Sequence, residues 1–409
     1  MIARLLGRFA RRRSARLLES APREFFLLCA CCRWPPGAAR DRAVQAAASE
    51  AIDWERLARL VERHRLFGLV RDSLSKAGVA APAWFDAALA ARVLAMAKTN
   101  LALAGETMRL HEAFAEAKIE VLFVKGATLE ALLYRDFAIK HSQDIDLLVR
   151  PEDSRAARAL LEGLGYRLIG APPPVEEFRL ALMRAGRREW EFRHETRRIV
   201  VELHWRLVYN EHLARGVDLS APKQWVRIGE RDAPTLARAP LFVYLCAHGA
   251  QHGWARLKWL ADLAALLAQA GDTPELFRAA EEAGAGRCAA QALALCETLF
   301  GLEPPEALSA KLRGGVADML SSIALRAILS SDSKPAWTRL DGQVETALST
   351  FLLGSDRAFL FAEFRRYLVA PEDVATFPLP ERLAWLYALL RGPFWVLRRL
   401  DRYFARFRA

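Results

Sequence analysis

Asp144 and Asp146 stand one residue apart at the start of the apolar run Asp144-Ile145-Asp146-Leu147-Leu148-Val149. Strand side chains alternate with a period of two, so both carboxylates project from one face. Adjacent carboxylates repel each other, and leaving them unpaired beside a core is costly. A divalent cation resolves that conflict. Mg²⁺, or Mn²⁺ in its place, takes hard oxygen ligands, with one or two carboxylates joined by substrate phosphates. The pair therefore points to a metal–phosphate site.

The flanking residues extend that chemistry. Residues 120–124 read as an apolar strand ending in Lys125-Gly126-Ala127-Thr128. A glycine at a strand-to-helix junction lets backbone approach a phosphate with no Cβ in the way. A helix starting near Thr128 turns free N–H groups toward the same anion; the other reading is that Gly126 only makes the turn. Lys140 is either a point charge for triphosphate or leaving pyrophosphate, or a solvated loop lysine. Ser142 and Gln143 read as polar lining. Val200, Glu202 and His204 share one face of a strand over residues 199–204. His248 and His252, four apart, share a helix face, which is a metal-ligand spacing. No Glu follows His248, so the zinc-protease motif is absent. These two histidines read as nucleotide or acceptor contacts, or equally as structural histidines with their bonds satisfied.

Lys125-Gly126, then Asp144 to Val149, then Val201-Glu202-Leu203-His204-Trp205 together resemble the nucleotidyltransferase superfamily of the DNA polymerase β type. The likeness is greatest to its branch called nucleotidyltransferase family 5, over roughly residues 101–266. The resemblance implies that Asp144 and Asp146 hold Mg²⁺ and that Glu202, from a neighbouring strand, completes the metal site. A strand-surface salt bridge is the other reading of Glu202. Lys125, Gly126, Lys140, Ser142, His204, His248 and His252 would then surround the nucleotide, and the branch carries an aspartate, here Asp262, in its helical half. Two departures stand out. Gly126-Ala127 replaces the superfamily's Gly-Gly/Ser pair, and the 18 positions from Gly126 to Asp144 exceed the usual gap, a spacing the branch shares. Close relatives also more often carry Arg where Lys140 stands.

The implied reaction moves a nucleoside monophosphate from an NTP donor to an unidentified hydroxyl acceptor, with pyrophosphate leaving. One rival is a non-catalytic nucleotide-binding or antitoxin-like scaffold. The other is a membrane-peripheral interaction protein acting through its tails. If the aspartates are unpaired, Asp146→Asn is expected to abolish transfer and leave the metal-free fold at least as stable.

The elements that must position these residues form an α/β (α+β) fold with a small mixed β-sheet core. The expected units are a helical N-terminal region at residues 1–100, the nucleotidyltransferase core at 101–210, a helical domain at 211–370 and a basic aromatic tail at 371–409. Short helices are expected over residues 22–34, 52–76 and 151–164, and a long one over 82–118. Further strands are expected at residues 166–169 and 189–194, the latter forming a hairpin with 199–204. No strand is expected after Trp205. Helices follow over residues 240–250 and 255–270. Loops fall at 172–174, 301–305, 314–315 and 330–335. Gly392-Pro393 is expected to break the tail into two helices.

A hydrophobic content of 53% with 26% charged residues is that of a globular chain. There is no run of 18 uncharged apolar residues. Six cysteines without spaced pairs fit a reducing compartment, so the expected location is cytoplasmic, or membrane-peripheral through the tail. The net charge of +11 is carried by the ends, +6 in residues 1–16 and +5 in residues 391–409. The body gives no electrostatic reason to bind nucleic acid. Residues 380–409 either meet an anionic membrane surface or cover the chain's own core.

Overall fold

Alternating apolar residues build two neighbouring strands that carry the acidic residues on one side. The computed structural model describes residues 2–170, 176–269, 271–330, 345 and 347–405. The proline loop at 172–174, most of the loop at 330–335 and the last four tail residues lie outside the described residues. The main sheet has five strands, β1 (Leu122–Phe123), β2 (Asp144–Leu148), β3 (Arg167–Leu168), β4 (Glu189–His194) and β5 (Ile199–His204). Their spatial order is β1-β2-β5-β4-β3. β2 and β5 run parallel with Asp146 opposite Glu202, and the other pairs are antiparallel. The fold is thus α+β around a small mixed sheet.

The two faces of this sheet differ in chemistry. Ile145, Leu147, Val149, Val201 and Leu203 point into one apolar core. Asp144, Asp146, Glu202 and His204 occupy the opposite parity, facing a second and larger core built mainly of helices. The N-terminal helices are α1 (Ile2–Glu19), α2 (Arg23–Cys31), α3 (Ala38–Ala47), α4 (Trp54–His64), α5 (Phe67–Lys76) and α6 (Ala83–Glu116). α6 joins the two cores: Phe85, Leu89, Val93 and Met96 enter the helical core, while Leu103, Met108, Leu110 and Phe114 enter the other. Buried Asn100 sits between these sets and reaches Glu130 Oε1 at 2.8 Å and the Lys140 carbonyl at 2.6 Å. By length and composition α6 is also the one helix among the described residues apolar enough to cross a bilayer.

Three expectations change. Residues 52–76 form two helices, because Arg65 at φ 57° ends α4 in the left-handed conformation before α5 begins. Strands continue after Trp205: β6 (Lys223–Ile228) and β7 (Arg231–Leu236) form a separate antiparallel hairpin turning at Gly229, φ 61°. Its charged outward residues and Pro234 hide the pattern, while Val226, Ile228, Ala233 and Leu236 are buried. The tail does divide into two helices, Leu386–Leu389 and Arg391–Ala405, but the break falls at Leu390, and Gly392-Pro393 lies in the first turn of the second helix. A proline there has no intrahelical N–H to lose. That helix buries Phe394 with Val374 and Tyr387 and sets Arg391 on buried Asp373, while Trp395, Val396, Leu397 and Leu400 stay exposed.

Candidate functional site

The acidic centre is assembled by strand register. The Val124 N–H donates to the Asp146 carbonyl at 3.2 Å, which carries strand pairing one residue beyond β1 and sets Lys125 beside Asp146. Lys125 Nζ lies 2.6 Å from Asp146 Oδ1. Gly126 follows with φ 62° and ψ −134°, where a Cβ would come within 3.1 Å of the Asp144 carbonyl oxygen. The position demands glycine. Helix α7 (Ala127–Leu133) starts one residue earlier than expected, and the Thr128 hydroxyl is spent on the Phe123 and Lys125 carbonyls, both at 2.9 Å.

His204 is the hub. Its Nε2 lies 3.2 Å from Asp146 Oδ1 and 3.3 Å from Glu202 Oε2, and its Nδ1 lies 3.1 Å from Glu189 Oε2. Burial works against the imidazolium, but hydrogen bonding to Asp146 and Glu202 outweighs it and raises the pKa. Asp146 is 1% exposed, and burial would raise its pKa; Lys125 and His204 reverse that and hold it well below the carboxylate range. Asp144 moves the other way, raised by burial and by Asp146. Both histidine nitrogens are engaged by acids, and a protonated imidazole has no lone pair for a metal. Asp146 Oδ2 is buried with no hydrogen-bond partner, so a hard oxygen donor remains. Donor atoms of Asp146, Glu202 and His204 all lie within 4.8 Å of one another. The carboxylates, with Asp144 beside them on the strand, fit a divalent cation.

This pairing corrects one expectation. Asp146 is not an unpaired charge, since it holds Lys125 and His204 in a buried cluster. Neutralising it strands buried Lys125, while His204 keeps Glu189 and Glu202, so Asp146→Asn is expected to destabilise the fold. The relief expected there belongs to Asp144.

The structure brings the remaining sequence-derived residues to the same place. A cleft of about 270 Å³ is lined by Lys125, Gly126, Lys140, Ser142, Asp144, Asp146, Glu202, His248 and His252. Lys140 faces Asp262, Nζ to Oδ2 3.8 Å, and the Tyr134 hydroxyl donates to the same carboxylate at 3.0 Å. Ser142 donates its N–H to Asn100 Oδ1. His248 and His252 close helix α8 (Arg238–Gln251), with ring centroids 4.6 Å apart and the Trp259 ring 5.3 Å from His252. Burial is the main cause that keeps both neutral, His252 falling to about 3. Gly249 serves packing: a Cβ there would collide with the buried Trp254 ring.

Sequence reasoning passed over several lining residues. Glu189 had a signal, because a hairpin pairing His194 with Ile199 also pairs Glu189 with His204. Arg188 adjoins it, with Nε 2.8 Å from Glu189 Oε2. Arg65, Arg256 and Lys258 come from segments with no motif around them. A family model described as an uncharacterised nucleotidyltransferase matches residues 50–301. No curated protein and no solved structure matches the chain.

Proposed function

The chain belongs to the uncharacterised nucleotidyltransferase family, and from that premise we propose that it transfers a nucleoside monophosphate from an NTP to a hydroxyl acceptor. The observation that carries this reading is the convergence of Asp144, Asp146 and Glu202 on one sheet face, over a cleft whose other walls are basic and aromatic. Those three acids would hold Mg²⁺ or Mn²⁺. Bound there, the ion supplies charge neutralisation to the phosphates.

The chain's own residues do the rest. Glu202, partly exposed at the cleft, accepts the acceptor's proton as its oxygen bonds to the α-phosphorus. The bond from that phosphorus to the bridging oxygen breaks, and its electron pair leaves with pyrophosphate. Lys125 and Lys140 place positive charge beside the phosphates, and Gly126 offers backbone without a side chain. Neutral His248 and His252, with Trp259 edge-on to His248 and tilted against His252, make an aromatic wall against which a base can pack. The acceptor is a protein hydroxyl, a small-molecule hydroxyl or a nucleic-acid end.

One observation favours a second reading. Lys125 and His204 compensate Asp146 without any metal, so a non-catalytic nucleotide-binding or antitoxin-like scaffold would also be comfortable with these acids. Incubation with each α-labelled NTP, Mg²⁺ and a cell extract separates the two. Label entering an acceptor fraction supports transfer. NTP binding of equal affinity in Mg²⁺ and in EDTA, with no label moved, overturns it.

A further inference from the structure

We infer that Arg65, Arg256 and Lys258 form a seat for a polyphosphate chain on the helical wall of the cleft, opposite the acidic strands. That the anion is the phosphate tail of an NTP donor rests on the transfer reading; the seat itself does not. All three side chains line the cleft that holds Asp144 and Gly126. They come from separate segments, Arg65 from the α4–α5 junction, Arg256 from the turn after α8, and Lys258 from the first turn of α9 (Leu257–Gln269).

Among the described residues, no carboxylate lies within ion-pair distance of any of the three, although Asp144 and Glu62 act on Arg65, and Asp262 and Asp144 on Lys258, from farther away. The basic side chains buried most deeply among the described residues each have a carboxylate within ion-pair distance: Arg40 with Asp72, Lys140 with Asp262, Arg179 with Glu176 and Arg188 with Glu189. Arg65, Arg256 and Lys258 have none among the described residues. Arg65 bonds the Gln143 side chain, and Lys258 Nζ donates to the His141 carbonyl at 3.3 Å. Neither partner carries charge.

The cations also press on one another. Burial and the Arg256 charge push Arg65 down to about 10, against the smaller pull of Asp144 and Glu62. Burial, Lys140 and Arg65 push Lys258 down to about 7, against the smaller pull of Asp262 and Asp144. A fold that gathers positive charge it does not neutralise is less stable for it, unless an anion arrives. Three cations on three elements match an extended anion with several charged groups, and guanidinium groups suit phosphate oxygens. Asp144, Asp146 and Glu202 claim the reacting end of such a chain, so the helical wall takes the far end.

Calorimetry of the full chain with inorganic tripolyphosphate, pyrophosphate and phosphate, in EDTA and in Mg²⁺, tests the seat without a nucleotide. Tripolyphosphate is expected to bind tighter than pyrophosphate, and pyrophosphate tighter than phosphate. Lys258→Met and the double variant Arg65→Gln/Arg256→Gln should each weaken tripolyphosphate at least tenfold. Melting at or above the wild-type temperature shows those variants folded. Tripolyphosphate that fails to bind wild type, or that binds both variants as well as wild type, overturns the seat. Tripolyphosphate bound through these residues with no label transferred from any NTP keeps the seat and removes the transfer reading.

Discussion

At the sheet end of the cleft, charges alternate in a line. Arg188, Glu189, His204, Asp146 and Lys125 succeed one another at 2.8, 3.1, 3.2 and 2.6 Å. At the helical end Arg65, Arg256 and Lys258 have no carboxylate within ion-pair distance among the described residues; Arg256 presses on Arg65, Arg65 on Lys258, and burial lowers all three. The first arrangement is complete without a ligand. Its contacts between Arg188, Glu189 and His204 are close charge pairs without hydrogen-bond alignment, yet each cation faces a carboxylate. The second arrangement is balanced only when something negative enters. Compensated charge holds shape, while uncompensated charge stores the preference for a ligand.

The strongest test of this contrast is Asp146→Asn. Transfer is expected to vanish, and the metal-free protein should lose about 3 kcal/mol, since Lys125 is left buried without its acid while His204 keeps Glu189 and Glu202. A thermal melt in EDTA reads the second effect, and an unchanged Tm would mean that the buried pair is worth nothing.

Asp144→Asn should abolish transfer equally but shift stability the other way. Burial and Asp146 raise the Asp144 pKa in the folded chain, so at neutral pH its charged form opposes folding. The variant is expected to melt at or above wild type at pH 7. The gap should close as pH falls through the raised folded value toward the unfolded value of about 3.9. A variant that melts clearly lower at pH 7 contradicts the assignment.

Gly126→Ala places a Cβ against the Asp144 carbonyl oxygen in a backbone conformation that favours glycine, and should cost about 1–3 kcal/mol. Urea unfolding of the two proteins at equal m-value measures it.

The smallest effect is a pH dependence at the basic end. Lys258 gives up its proton near pH 7 in the folded chain, while the unfolded chain keeps it to about 10.4. The unfolded state therefore binds more protons between those values, and the Lys258 contribution to stability rises with pH across that window. Lys140 and Arg65 push it down while Asp262 and Asp144 pull it up, so the window belongs to the whole cluster. The advantage of Lys258→Met in Tm should be greatest below pH 7 and shrink toward pH 10. Tripolyphosphate affinity of wild type should fall as pH rises through 7.

Much of the acidic end was legible without a fold. The period-two alternation of residues 144–149 and 199–204 is a property of the extended backbone, so Asp144, Asp146, Glu202 and His204 had to share faces once those runs were strands. The hairpin of β4 and β5 and the glycine before α7 follow from equally local rules. The β6–β7 hairpin was not legible, because its outward residues are charged and its pattern is broken by Pro234.

Which charges are neutralised was beyond the sequence altogether. Lys125 and Asp146 are 21 positions apart, and only the β1–β2 pairing sets one against the other. Arg65 and Lys258 are separated by most of the helical core that brings them to one wall. Local periodicity is written in the covalent geometry of a few residues, so a sequence determines it alone. Coulomb interactions depend on distance and burial between segments remote in the chain, and those are decided only when the cores close.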